Sequence, residues 1–147
     1  MNIDVRIKKV RKSAIIPEYK TSGAAALDLH SASELPICVP PRGRAMIPTG
    51  IAIAPEDGSV VSIVCARSGL ASRHGIALSN GIGVIDSDYR GEIMVSVCNL
   101  SDEAYEIKPG ERIAQLMFMP VLSARLIEVS ELDETARGDG GFGSTGK

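Results

Sequence analysis

The sequence predicts an all-β sandwich or barrel, on three observations. Apolar runs of about four to eight residues, rich in Val and Ile, recur along almost the whole chain, and that is the length of strands rather than helices. Turn residues separate them, as in Pro40-Pro41-Arg42-Gly43, Pro55-Glu56-Asp57-Gly58 and Lys108-Pro109-Gly110-Glu111. No long amphipathic helix is available to cover a parallel sheet.

The first strand is expected at Ile3 to Lys8, where Ile3, Val5 and Ile7 alternate with Asp4, Arg6 and Lys8 at the period of a half-buried strand. The basic run Lys8, Lys9, Arg11 and Lys12 then reads as its solvated side. Further strands are expected at Ala25 to Ser31, Ile37 to Val39, Arg44 to Pro48, Ile51 to Ala54 and Val60 to Cys65. Ser68 to Arg73 has the makings of a helical turn or two. Strands resume at Ile76 to Leu78, Ile93 to Asn99, Tyr105 to Ile107 and Arg112 to Pro120, with Ala124 to Glu128 as a further candidate. This gives about ten short strands in one folded unit. After Asp133 the composition shifts to Gly, Ser and Thr. Residues 1–133 are therefore expected to form the β domain and 134–147 a mobile C-terminal arm, with too few apolar residues to join a core.

Composition narrows the function. Hydrophobic residues make up 44% of the 147 positions, enough for a core, while aromatics are only 3%. Aliphatic packing across strands or between subunits has to replace aromatic clusters. A net charge of -2 argues against general nucleic-acid binding. No window approaches the roughly 18 apolar residues of a membrane span, and the N-terminal segment lacks a signal-peptide core, so a cytoplasmic protein is expected. Three cysteines without a Cys-x-x-Cys pair, Cys38, Cys65 and Cys98, read as reduced core thiols. Two distant histidines, His30 and His74, argue against a protein-held transition metal and read as structural.

Several stretches have chemical potential. Ser79 to Glu92 reads as a β-hairpin, either a plain polar tip or a holder for a flat ligand. Gly81 and Gly83 there permit close backbone approach, and Asp86, Asp88 and Tyr89 crowd the far end. Arg67-Ser68-Gly69-Leu70-Ala71 follows an apolar strand and can present a guanidinium, a hydroxyl and N–H donors to a phosphate, although Ser68 is equally well explained as a helix N-cap. Gln115 is an amide among Ile113, Leu116, Met117 and Phe118, either a structural hydrogen-bonder or a ligand contact. Asp28, between Leu27 and Leu29, could accept an internal hydrogen bond or face a metal-bound water. Gly141 to Gly146 spells Gly-x-Gly-x-x-Gly, but the following helix on which that motif depends is missing. What remains is a Gly-rich backbone with Arg137, Ser144 and Thr145, suited to wrapping polyphosphate or to serving as a plain flexible tail.

In order, Ala25-Ala26-Leu27-Asp28-Leu29, Arg67-Ser68-Gly69-Leu70-Ala71, Asn80 through Gly91, Gly110-Glu111-Arg112-Ile113-Ala114-Gln115-Leu116 and Arg137 through Gly146 resemble the five motifs of the trimeric dUTPase family. The resemblance spans nearly the full chain. It implies a jelly-roll-like or distorted β-barrel homotrimer, with active sites at subunit interfaces, that hydrolyses dUTP to dUMP and pyrophosphate. Asp86 would be the general base orienting water toward the α-phosphorus. Tyr89 would pack under deoxyribose and exclude a 2′-hydroxyl. Asn80, with Val84, Ile85 and Met94, would read the uracil edge. Arg67, Ser68, Gly69 and Gln115 would hold phosphates, while Arg137, Gly143, Ser144 and Thr145 would clasp the terminal one and Phe142 would cover the uracil. Mg²⁺ would ride mainly on the triphosphate, with Asp28 meeting it at most through water. The rival readings are a dCTP deaminase, for which no added Glu stands beside the Arg67 motif, and a non-catalytic nucleotide-binding protein.

Overall fold

The computed structural model describes residues 2–141 and contains eleven strands and one short helix. The strands are β1 (Val5–Lys9), β2 (Leu27–His30), β3 (Ile37–Val39), β4 (Arg44–Pro48), β5 (Ile51–Pro55), β6 (Val60–Ala66), β7 (Ile76–Leu78), β8 (Gly83–Ile85), β9 (Met94–Asn99), β10 (Tyr105–Ile107) and β11 (Arg112–Pro120). Helix α1 (Ser68–His74) joins β6 to β7. Every ladder is antiparallel, and the strands form four sheets, β1-β5, β3-β10, β2-β11-β6-β8 and β4-β9-β7. Partners are mostly distant in sequence, so the chain keeps crossing between sheets in the manner of a jelly roll. Among the described residues no sheet closes into a barrel.

The core lies where the inward positions of these sheets meet. In β9 alternate residues Val95, Val97 and Asn99 are buried, as the pleat requires. Clustered with Val95 and Val97 are Leu29, Val39, Ile47, Ile51, Ile107 and Leu116, all fully or almost fully buried. The core is aliphatic, as the composition demanded, with Tyr105 and Phe118 packing on it from partly exposed positions. Each buried aliphatic side chain contributes about 1.5–3 kcal/mol relative to exposure.

Four local expectations need correction. The alternation of the first strand does not become a buried face: Val5 is half-buried and the rest of β1 is exposed, because only β5 covers this two-stranded sheet. All three cysteines are free, but none lies in the core, and Cys38 is exposed. The Ala124 to Glu128 candidate forms no strand and lies exposed. Ser68 does not cap α1: Arg67 occupies the N-cap position, and no side-chain cap bond is made.

Among the described residues, Asn99 is the one side-chain amide sealed in the core. Its Nδ2 donates to the carbonyls of Val39 at 3.1 Å and Glu103 at 2.7 Å, and its Oδ1 accepts from the N–H of Ser101 at 2.9 Å and from Ser101 Oγ at 2.8 Å. All four positions of the amide are used, tying β9 to β3 and to the turn before β10. Asn99→Ala leaves the buried Val39 carbonyl without its donor and unties the turn before β10, so the unfolding free energy should fall by about 1–3 kcal/mol in urea titration.

Candidate active site

The central strand β11 collects three of the stretches singled out in the sequence. Gln115 pairs with Asp28 on β2 at one side and with Cys65 on β6 at the other, and β6 leads directly into Arg67. Asp28 is 5% exposed. Its Oδ2 lies 3.0 Å from Nη1 of Arg112, and its Oδ1 lies 3.5 Å from both Nε of Arg67 and Nε2 of Gln115. Arg67 also donates through Nη1 to the carbonyl of Arg112 at 2.9 Å. One buried carboxylate thus organises two guanidiniums and an amide at one end of the sheet. Ser68 and Gly69 follow at the exposed start of α1.

Arg112 was quoted in a motif but given no role by the sequence reading. On a regular strand, residues three apart face opposite sides, which would separate Arg112 from Gln115. The register shifts between Arg112 and Ala114, so that Arg112 stands opposite His30 and Ala114 opposite Leu29. This bulge turns both side chains toward Asp28. Burial, reinforced by Lys20 and the two arginines, lowers the pKa of His30 and favours its neutral form. Just before the bulge, Tyr105 donates to Glu111 at 2.6 Å; burial and that bond push its pKa up to about 12.

A second group surrounds a pocket of about 260 Å³. Asn80, Val84, Ile85, Asp86, Tyr89 and Met94 all line it, together with Val64, Leu78, Glu92 and Ser96, which the sequence reading did not single out. The hairpin expected over Ser79 to Glu92 is open. β8 pairs with β6, whereas β9 pairs with β4 and β7, so the two arms enter different sheets and the pocket lies between them. β8 is an edge strand, which leaves main-chain donors and acceptors along one side without a strand partner. Val84 is 61% and Met94 40% exposed, giving an apolar lip. Tyr89 donates its hydroxyl to the carbonyl of Glu92 at 3.1 Å. Its ring lies against Gly91, where a Cβ would meet ring atom Cζ at 2.6 Å, so only glycine admits this ring position.

The pocket lining includes neither Arg67, Ser68, Gly69 nor Gln115. Within one chain, the pocket and the cationic cluster are separate. Arg137 joins neither, for its Nε donates to the carbonyl of Gly140 at 2.9 Å within its own exposed turn. Phe142, Gly143, Ser144 and Thr145 lie outside the described residues. Among the described residues no three His, Cys, Asp or Glu side chains gather as a metal cage, and the oxygens of Asp28 face cationic and amide donors.

Comparison with known proteins now identifies the family. The dUTPase family model matches residues 12–146. The chain is 48% identical over 147 residues to the deoxyuridine 5′-triphosphate nucleotidohydrolase of Albidiferax ferrireducens, covering 100% of this chain and 99% of that one. It is 52% identical over 143 residues to the Nautilia profundicola protein of the same name, covering 97% and 99%. Its fold superposes with TM-score 0.87 on the dUTPase of Staphylococcus bacteriophage 80alpha with dUpNHpp, at 26% identity and covering 98% and 99% of the two chains. Matched along nearly its full length by family profile, sequence and fold, the chain belongs to the dUTPase family.

Proposed function

We propose that this protein hydrolyses dUTP to dUMP and pyrophosphate, keeping uracil out of DNA and supplying dUMP for thymidylate synthesis. The observation that carries this reading is the open pocket, in which an edge strand with free main-chain groups borders a carboxylate, Asp86, and an aromatic ring, Tyr89. A uracil edge fits against main-chain donors and acceptors, with Asn80 beside it. Rejection of a 5-methyl needs a stiff wall, since one methyl in a soft apolar site is worth only about 1–3 kcal/mol. Strand β8, laddered to β6 through Ser62, Ile63 and Val64, provides such a wall. Tyr89, pinned by Glu92, packs under deoxyribose and leaves no room for a 2′-hydroxyl.

Chemistry then divides between the half-sites. Asp86 accepts a proton from the water that attacks the α-phosphorus in line. Arg67, Ser68, Gly69 and Gln115 hold the phosphates, whose charge of about four negative units must be offset before water approaches. Magnesium carried mainly on the substrate's triphosphate would neutralise part of that charge. The residues fit such a substrate-borne ion better than a protein-held one, because Asp28 already serves Arg67, Arg112 and Gln115 and reaches the metal at most through water. Arg137, Gly143, Ser144 and Thr145 clasp the terminal phosphate and Phe142 covers the uracil, in an arm spanning residues 134–147.

A homotrimer with sites at subunit interfaces is the assembly we infer. Three features support it: the separation of the half-sites in one chain and, among the described residues, the unpaired outer edge of β1 and an apolar run left exposed. In that run Leu122 is 95% and Leu126 92% exposed, a burden that a lone soluble chain would not carry. We place the protein in the cytoplasm, with the deoxynucleotide pool. No helix among the described residues is long and apolar enough to cross a membrane.

The direct test incubates the protein with Mg²⁺ and each deoxynucleoside triphosphate. dUMP and pyrophosphate should form from dUTP alone; deamination of dCTP to dUTP would replace this reading with the deaminase, and no reaction would leave the non-catalytic one. Asp86→Asn should retain dUTP binding by calorimetry and lose at least about 10²-fold in kcat. Deletion from residue 137 onward should leave the assembly intact by sedimentation while kcat/KM falls on the order of 10²-fold.

A further inference from the structure

The pocket's most important loop is held by a residue outside all five motifs. Between β8 and β9, residues 86–93 form no ladder. Several of the loop's hydrogen bonds are internal: Tyr89 N–H to the Asp86 carbonyl at 3.1 Å, and Arg90 Nη1 to the carbonyls of Ser87 at 2.7 Å and Tyr89 at 3.0 Å. Such bonds shape the loop without attaching it to the body. Attachment comes at Glu92 and Ile93. Ile93 N–H donates to the Ile51 carbonyl at 2.9 Å, and Thr49 Oγ1 donates to the Ile93 carbonyl at 2.6 Å. The Glu92 carboxylate receives Nε of Arg11 at 2.6 Å, Nη2 of Arg11 at 3.0 Å and the Gly50 N–H at 2.8 Å.

Gly50 links both partners. Its carbonyl accepts the N–H of Val10 at 2.7 Å and that of Arg11 at 3.4 Å, while its own N–H goes to Glu92. The backbone there is left-handed, at φ +70, and a Cβ would meet Cβ of Ala14 at 2.7 Å and of Ala32 at 2.9 Å, so only glycine fits. Arg11 therefore reaches Glu92 from a segment whose backbone is tied to the same turn. The hydrogen bond from Arg11 lowers the pKa of Glu92, which keeps the carboxylate charged. The contact crosses 81 positions of sequence, and its far end is the residue whose carbonyl takes the Tyr89 hydroxyl.

We propose that Arg11 is a positioning residue for the nucleoside pocket: its forked contact with Glu92 fixes the loop that carries Asp86 and Tyr89, and with it the place where the sugar sits. The proposal deepens the dUTP-hydrolysis reading and rests on it for the substrate. It separates Arg11 from Lys8, Lys9 and Lys12, which share the basic run but not this contact. A planar fork matches a carboxylate in two bonds, which a lysine cannot reproduce. An exposed ion pair adds little to global stability, so the contact's consequence is local order.

The test compares Arg11→Gln and Arg11→Lys with Arg42→Gln, which removes the exposed Arg42–Asp102 pair, 2.9 Å, at a turn away from the pocket lining. Two readouts are taken on the full chain: hydrogen exchange by mass spectrometry without ligand, and kcat and KM for dUTP. In Arg11→Gln, exchange over residues 86–93 should speed up about two- to five-fold while β2, β6 and β11 stay protected. KM should rise about two- to five-fold with kcat within about two-fold. Arg11→Lys should fall between Arg11→Gln and wild type, and Arg42→Gln should match wild type in both readouts. Unchanged exchange over residues 86–93, or an equal rise along the whole chain, overturns the positioning role. Wild-type protein that leaves dUTP intact overturns the activity alone, and the exchange data still decide the role of Arg11.

Discussion

The placement of the cationic half-site depends on a charge buried where it costs most. A carboxylate as enclosed as Asp28 has lost most of its water, and an uncompensated charge there would cost several kcal/mol. Arg112 and Arg67 compensate it from two other strands or their extensions, with Gln115 at the weaker distance. The compensation works in both directions. The arginines neutralise the acid, and the acid holds two long, rotamer-rich side chains in one geometry before any ligand arrives. Donors held in this way are ordered before any ligand arrives, which lowers the cost of binding one.

Antiparallel pairing makes that arrangement possible. β11 lies between β2 and β6, so residues far apart in sequence come within side-chain reach at its N-terminal end. The other edge of β6 carries β8 along Ser62 to Val64, and the β8 ladder sets one wall of the pocket. One strand, β6, therefore connects both half-sites rigidly, through a ladder rather than through a loop. The opposite wall belongs to β9, anchored in a different sheet. A pocket formed between two sheets stays open where a closed hairpin would have filled it with its own hydrogen bonds.

Magnitudes separate the anchors by purpose. Buried aliphatic side chains and the fully bonded Asn99 hold the fold, each at the level of kcal/mol. The Arg11 fork sits nearer the surface, where solvent screening leaves an ion pair little weight in global stability. That is negligible for the fold and sufficient to bias a short loop that has few other attachments. Such a division lets the pocket's loop be tuned without putting the sheets at risk.

Strand positions were legible because turn chemistry and period-two patterning are local. β3, β4, β7, β10 and β11 fall at the expected residues, and the Gly-Val-Ile segment of β8 was hidden only because a hairpin reading already covered it. The aliphatic core and the motif residues were also legible, since both are statements about which residue types are present and in what order. Partnership was not. That Arg112 turns toward Asp28 depends on one extra residue in a ladder, a register property that strand-forming residues do not encode locally. The exposed side of β1 and the bare Ala124 to Glu128 segment depend on which edges the rest of the chain leaves available. The sequence by itself determined an all-β chain and its chemical inventory, because length, period and composition act over a few residues. Only the tertiary structure decided that Arg11 meets Glu92 and that the pocket opens between two sheets, because contacts across 81 positions arise from packing and not from neighbours in sequence.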